Sequence, residues 1–128
     1  MDLILYISEL ETSNVNIYFV RQHERYSDKQ ERNDVLIGFY SPREGIPSKI
    51  GDNHFRFQIF GHSLINNIIA LLDVLNYELE DKQITVHFGW PMSSWWDRFF
   101  IGVMVFNLTR LPKMFPKFNF QLNYISVK

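Results

Sequence analysis

Between Leu64 and Glu80 the apolar side chains recur at the spacing of a helix that buries one side. At about 100° per residue, Leu64, Ile65, Ile68, Ile69, Leu71, Leu72, Leu75 and Leu79 fall within an arc of roughly 160°. Asn66, Asp73 and Tyr77 lie opposite. A helix divided in this way needs an apolar surface to lie on, and its flanks supply one. Before it, Phe55, Phe57 and Ile59 alternate with His54, Arg56 and Gln58. After it, Ile84, Val86 and Phe88 alternate with Thr85 and His87. Alternation of this kind is a strand with one apolar face. The helix is therefore expected to cover one face of a sheet.

Leu3 to Ile7 and Val15 to Val20 are rich in branched and aromatic residues and read as strands. Thr12-Ser13-Asn14 suits a tight connection, which predicts a hairpin. Gln22 to Asp34 is almost wholly polar: either the exposed end of that hairpin or a loop. Val35 to Tyr40 reads as a third strand. Ser41 to Asn53, with two prolines and two glycines, reads as a loop. Residues 93–108 fit two templates. Ser94 with Asp97 three positions later suggests a helix start, yet "FFIGVMVF" also suits a strand buried on both faces. The expectation is helix at the start and strand beyond Gly102. Phe118, Phe120, Leu122 and Tyr124 alternate with polar residues and read as a last strand. Strands, one main helix, then strands imply a single α+β domain over 1–128. Its sheet is expected to be mostly antiparallel, packed against that helix, with a second short helix as an option.

Gly61-His62-Ser63 raises the question of a nucleophile. The elbow that exposes a catalytic serine needs Gly-x-Ser-x-Gly, and Ile65 stands where the second glycine belongs. Ser63 reads instead as a helix cap, its hydroxyl accepting a bond from a free amide of the first turn. His23, His54, His62 and His87 show no helix-face ligand spacing, so no metal site is expected. His54 and His87 occupy polar strand faces and would meet only if their strands are neighbours. In that case acid–base chemistry on a phosphodiester becomes available. Asp73, Glu78, Glu80 and Asp81 surround a helix end, where carboxylates oppose the dipole slightly. Trp90, Trp95 and Trp96 fall within seven positions, and an exposed Trp90 or Trp95 would anchor a protein partner.

The absence of cysteine removes disulfides, thiolate metal sites and thiol nucleophiles. "MDLILYISEL" lacks the basic start and cleavage pattern of a signal peptide, and no apolar run approaches the roughly 20 residues of a membrane helix. A net charge of −1 conceals a division: residues 1–92 carry 8 basic and 13 acidic side chains, residues 93–128 carry 5 and 1. The acidic body argues against direct nucleic-acid binding, which needs clustered cations, and suits a basic protein partner.

The Pro/Gly-rich loop, the strand "FRFQIFG", the Ser-initiated helix "SLINNIIALLDVLNYEL" and the strand ending in "GW" resemble small bacterial immunity proteins. These are encoded beside polymorphic toxins, including those of contact-dependent growth inhibition systems. The likeness spans Pro42 to Trp90; the segment after Trp96 departs from it. It implies a cytoplasmic antidote, not an enzyme, that needs no cofactor, metal or membrane and blocks the active site of a cognate toxin C-terminal domain, often a nuclease. Such an inhibitor gains rate and register from acidic groups. The expected partner-binding residues are Glu24, Asp28, Glu31 and Asp34 in the polar segment and Glu44 and Asp52 in the long loop. The competing reading is a small-ligand or peptide-binding domain with an aromatic-lined pocket between helix and sheet.

Overall fold

The computed structural model describes residues 2–20, 34–40, 49–51, 53–58, 64–91 and 94–125. In chain order the elements are α1 (Asp2–Glu9), β1 (Asn14–Val20), β2 (Asp34–Tyr40), β3 (Lys49–Gly51) and β4 (His54–Gln58). They continue with α2 (Leu64–Glu78), β5 (Gln83–Pro91), α3 (Trp95–Leu108), α4 (Leu111–Met114) and β6 (Asn119–Ile125). The strands form one sheet in the order β3-β4-β2-β1-β5-β6. Five of them, β4 to β6 in that order, are parallel, and only the short edge strand β3 is antiparallel.

This overturns the expected antiparallel α+β architecture; the protein is an α/β fold with three helices of eight residues or more. The first cause lies in α1. A strand here would place Leu3, Leu5 and Ile7 on one face. Instead Leu3 and Ile7 are buried, Ile4 is half-buried, and Leu5 is 60% exposed. Positions 3, 4 and 7 share a helix face, so this segment never enters the sheet and no hairpin forms. Without it, β1 takes β2 and β5 as neighbours, both parallel. The second cause lies in α3. The helix runs unbroken through Gly102, with the Asn107 amide donating back to the Val103 carbonyl at 2.9 Å, so the strand expected beyond Gly102 does not exist. The third correction is smaller: β3 lies within the segment read as a loop.

Helix α2 and the described parts of its flanking strands form as their spacing predicts. Ile68, Leu71, Leu72 and Leu75 are buried, and Asn66, Asp73 and Tyr77 face solvent. They pack on Val15, Ile17 and Phe19 of β1, Val35, Ile37 and Phe39 of β2, Phe55 of β4 and Ile84, Val86, Phe88 and Trp90 of β5 as one core cluster. Phe39, Phe19, Phe88 and Phe120 stack in a row across β2, β1, β5 and β6, with centroids 5.6, 5.6 and 6.4 Å apart. Parallel crossovers are right-handed, which places α2 and the α3–α4 pair on the same side of the sheet. Leu3 and Ile7 of α1, and Val105, Leu108, Leu111 and Phe115 of the α3–α4 region, complete that layer. Side chains of the other parity point to the second face: Asn16, Tyr18, Asp34, Arg56, Thr85 and His87.

Candidate interaction surface

The sequence of α3, WWDRFFIGVMVFNL, is apolar on all sides, and such a helix either lies wholly inside or shows apolar surface to solvent. Here it does the second. Val105 and Leu108 pack towards the core. Trp95, Trp96, Phe99, Val103 and Phe106 are each between 47% and 66% exposed. Spacings of four, four and three along Trp95, Phe99, Val103 and Phe106 keep them on one stripe. The stripe is ordered by its own rings: Trp95 stacks on Phe99 at 5.8 Å and meets Trp96 edge-on at 4.8 Å. Further along the stripe lies an open depression of about 410 Å³ bounded by Arg98, Phe99, Gly102, Val103 and Phe106. Arg110 holds its guanidinium 5.6 Å above the Phe106 ring. Arg98 and Arg110 are thus two cations bordering the apolar stripe. Contiguous aromatic exposure on this scale marks an interaction site in soluble proteins.

A polar seam crosses the second face of the sheet. Asn16 donates from Nδ2 to Asp34 Oδ1 at 3.2 Å, and its own Oδ1 lies 3.1 Å from His87 Nε2. An amide oxygen only accepts, so Nε2 carries the imidazole proton and Nδ1 holds the lone pair. Nδ1 is buried and makes no hydrogen bond among the described residues. Burial lowers the His87 pKa, with the Asp34 carboxylate opposing it. The Tyr18 ring stacks on the imidazole at 4.4 Å and 11°. Asp34 is only 5% exposed, and the Asn53 amide also donates to its backbone carbonyl at 2.9 Å. The seam ties β2, β1 and β5 in register and keeps one histidine neutral in one tautomer.

The strands of His54 and His87 are not neighbours, so the two imidazoles do not meet. His54 pairs with Leu36, Leu36 with Tyr18, and Tyr18 with His87, so three strand spacings, roughly 14 Å, separate the imidazoles. Shared acid–base chemistry at His54 and His87 is thereby lost. Burial lowers the His54 pKa as well. Among the described residues no group of acidic and histidine side chains can hold a metal ion, and no helix is long and apolar enough to cross a membrane.

Of the six acids expected to bind a partner, Glu24, Asp28, Glu31, Glu44 and Asp52 lie outside the described residues, as do Ser63, His23 and His62. Asp34 is described: it is buried and accepts from Asn16 within the seam. Trp90 is core, whereas Trp95 is exposed. The carboxylates around the end of α2 meet a cation from the chain itself. Lys117 donates to the Leu79 carbonyl; burial lowers its pKa while Asp81 and Glu80 raise it. Two depressions among the described residues, on α3 and on the outer side of α2 near Tyr77, open to solvent, and neither lies between helix and sheet. Sequence reasoning missed Phe99, Val103 and Phe106 as surface residues. The signal was present: α3 has no polar side to turn outward. The chain matches no known protein family, no curated protein and no solved structure.

Proposed function

We propose that this chain is a cytoplasmic immunity protein that binds the C-terminal domain of a cognate toxin, a nuclease, and covers its active site. One observation carries the reading as a binding protein: the outer face of α3 holds four exposed aromatic side chains and Val103 on a single stripe. Large aromatic anchors dominate binding energy at protein interfaces, and their mutual stacking here means little ordering is left to be done on docking. Trp95 and Phe99 are the central anchors. Arg98 and Arg110 form a basic rim. Glu24, Asp28, Glu31, Glu44 and Asp52 belong to the proposed acidic contacts; Asp34 does not, being buried. No catalytic role is assigned to the His87 seam.

The test is co-expression with the toxin domain encoded by the adjacent gene. The two chains should co-elute and the nuclease activity should be lost. A Trp95→Ala/Phe99→Ala double variant should weaken the complex by about 100-fold or more, two hot-spot truncations at about 2 kcal/mol each. Full neutralisation by the double variant removes α3 from the interface, and turnover of any substrate by the purified chain removes the reading.

A second reading, small-ligand binding, is favoured by the topology. The strand order reverses between β1 and β5, and open parallel sheets bind ligands at the carboxyl ends of the strands flanking that reversal. Chemical-shift changes confined to Val20 and Trp90 on adding a ligand would select it.

A further inference from the structure

We infer that in the free protein the outer face of α3 is covered by the same face of a second copy, the two helices packed antiparallel about Gly102. This rests on the reading of α3 as the docking face and names its occupant when no other partner is present. Area is the first argument. With a large aromatic side chain offering 150–250 Å², the exposed parts of the stripe amount to roughly 500 Å² per copy. A symmetric pair then buries about 1,000 Å², the size at which specific interfaces begin.

Gly102 is the second. It lies within the stripe, and a Cβ added there would meet nothing within 4 Å in its own chain. Nothing among the described residues calls for glycine, which weakens a helix interior. A bare backbone at that point lets a second helix approach closely.

The stripe is also self-complementary about that point. Phe99 stands three positions before Gly102 and Phe106 four after, so in an antiparallel pair each Phe99 meets Phe106 of the second copy. Trp95 and Trp96, seven and six positions before, reach towards Arg110 of the second copy, eight after. A guanidinium over an aromatic ring is already the arrangement of Arg110 and Phe106 within one chain. The two Arg98 positions are separated by about 12 Å along the axis and the two Arg110 positions by about 24 Å, both beyond a Debye length of about 8 Å. Arg98 and Arg110 of the second copy, about 6 Å apart along the axis, are the like-charged pair that the aromatic contacts have to offset. An isologous pair closes on itself and leaves no open stripe.

The experiment is light scattering on the full chain at roughly 100 µM, above the micromolar dissociation constant of a modest interface. The expected mass is twice the 15.4 kDa of one chain. Gly102→Arg and Phe99→Glu should each give a monomer with unchanged far-ultraviolet circular dichroism. Gly102→Arg is the sharper variant, because its side chain enters open space in the monomer and the crossing point in the pair. A monomeric wild-type chain overturns the inference, as does a dimer that survives both substitutions. Sedimentation with phosphatidylglycerol and phosphatidylcholine vesicles separates one alternative: a monomer that binds only the anionic vesicles assigns the face to a membrane surface. A monomer that complexes the toxin domain overturns self-pairing and leaves the docking reading intact. A dimer abolished by both substitutions, in a chain that ignores the toxin domain, supports self-pairing and removes the immunity reading.

Discussion

Lys82 donates from Nζ to the backbone carbonyl of Leu10 at 2.7 Å and to that of Thr12 at 2.9 Å, joining the end of α1 to the start of β5. Its side chain is buried. Both carbonyls lie in the connection between α1 and β1, outside either element, and an ammonium about seventy residues along the chain supplies their partner. Gln83 reinforces the junction, its N–H donating to the Ser13 carbonyl at 2.8 Å. Lys82→Met keeps the apolar stem and strands both carbonyls. The expected loss is about 2–4 kcal/mol, the cost of leaving two partly buried acceptors unsatisfied. Urea unfolding checks it, and a loss below about 0.5 kcal/mol shows the junction to be dispensable.

The seam on the second face makes stability depend on pH. His87 and His54 both have pKa values lowered from 6.5 by burial, so the folded state binds fewer protons than the unfolded state as pH falls. Stability is therefore full above the unfolded value of 6.5 and declines as pH drops through it towards the folded values. Denaturant midpoints between about pH 7.5 and pH 5 should fall. His87→Gln should flatten part of that slope and His54→Gln the remainder. Asn16→Leu, which removes the Asn16 bond to the Asp34 carboxylate and the acceptor of the His87 N–H, should cost about 2–3 kcal/mol near neutrality. A slope unchanged in His87→Gln excludes the imidazole as a source of the pH dependence.

That seam also explains which parts of the fold were legible in the sequence. In α2 the apolar residues keep one period for four turns, so its existence, inward face and outward face all follow from spacing. In β5, alternation correctly separates Ile84, Val86 and Phe88 from Thr85 and His87. Alternation with a polar face is, however, the mark of an antiparallel strand with one wet side, whereas parallel strands usually read as continuous apolar runs. The hydrogen-bonded Asp34–Asn16–His87 row gives parallel strands the opposite appearance. Strand direction depends on partners distant in sequence, and no local pattern encodes it. The aromatic density around Trp95 is legible in the sequence, but whether a side chain faces the core or solvent depends on which side of α3 the sheet occupies.

Gly102 offers a test that separates helix propensity from contact. In the helix interior glycine costs about 1 kcal/mol relative to alanine, and a methyl group there meets no atom within 4 Å. Gly102→Ala should therefore raise the stability of the monomer by about 0.5–1 kcal/mol, measured by chemical denaturation at low protein concentration. Destabilisation would mean that the position is not an open site on a regular helix.

Leu3 and Leu5 distinguish the helix observed at the N-terminus from the strand its composition suggests. In a strand the two residues share a face and lose similar burial when truncated. In α1, Leu3 is fully buried in the core cluster while Leu5 is 60% exposed. Leu3→Ala removes a packed side chain and leaves a cavity, with an expected cost of about 2–4 kcal/mol. Leu5→Ala removes surface that water already reaches and replaces leucine with the best helix former, so its effect should stay within about 0.5 kcal/mol. Thermal or urea unfolding of the two variants against wild type provides the comparison. Equal losses would place positions 3 and 5 on one face, restore a strand there, and remove the reason that β1 has only parallel neighbours.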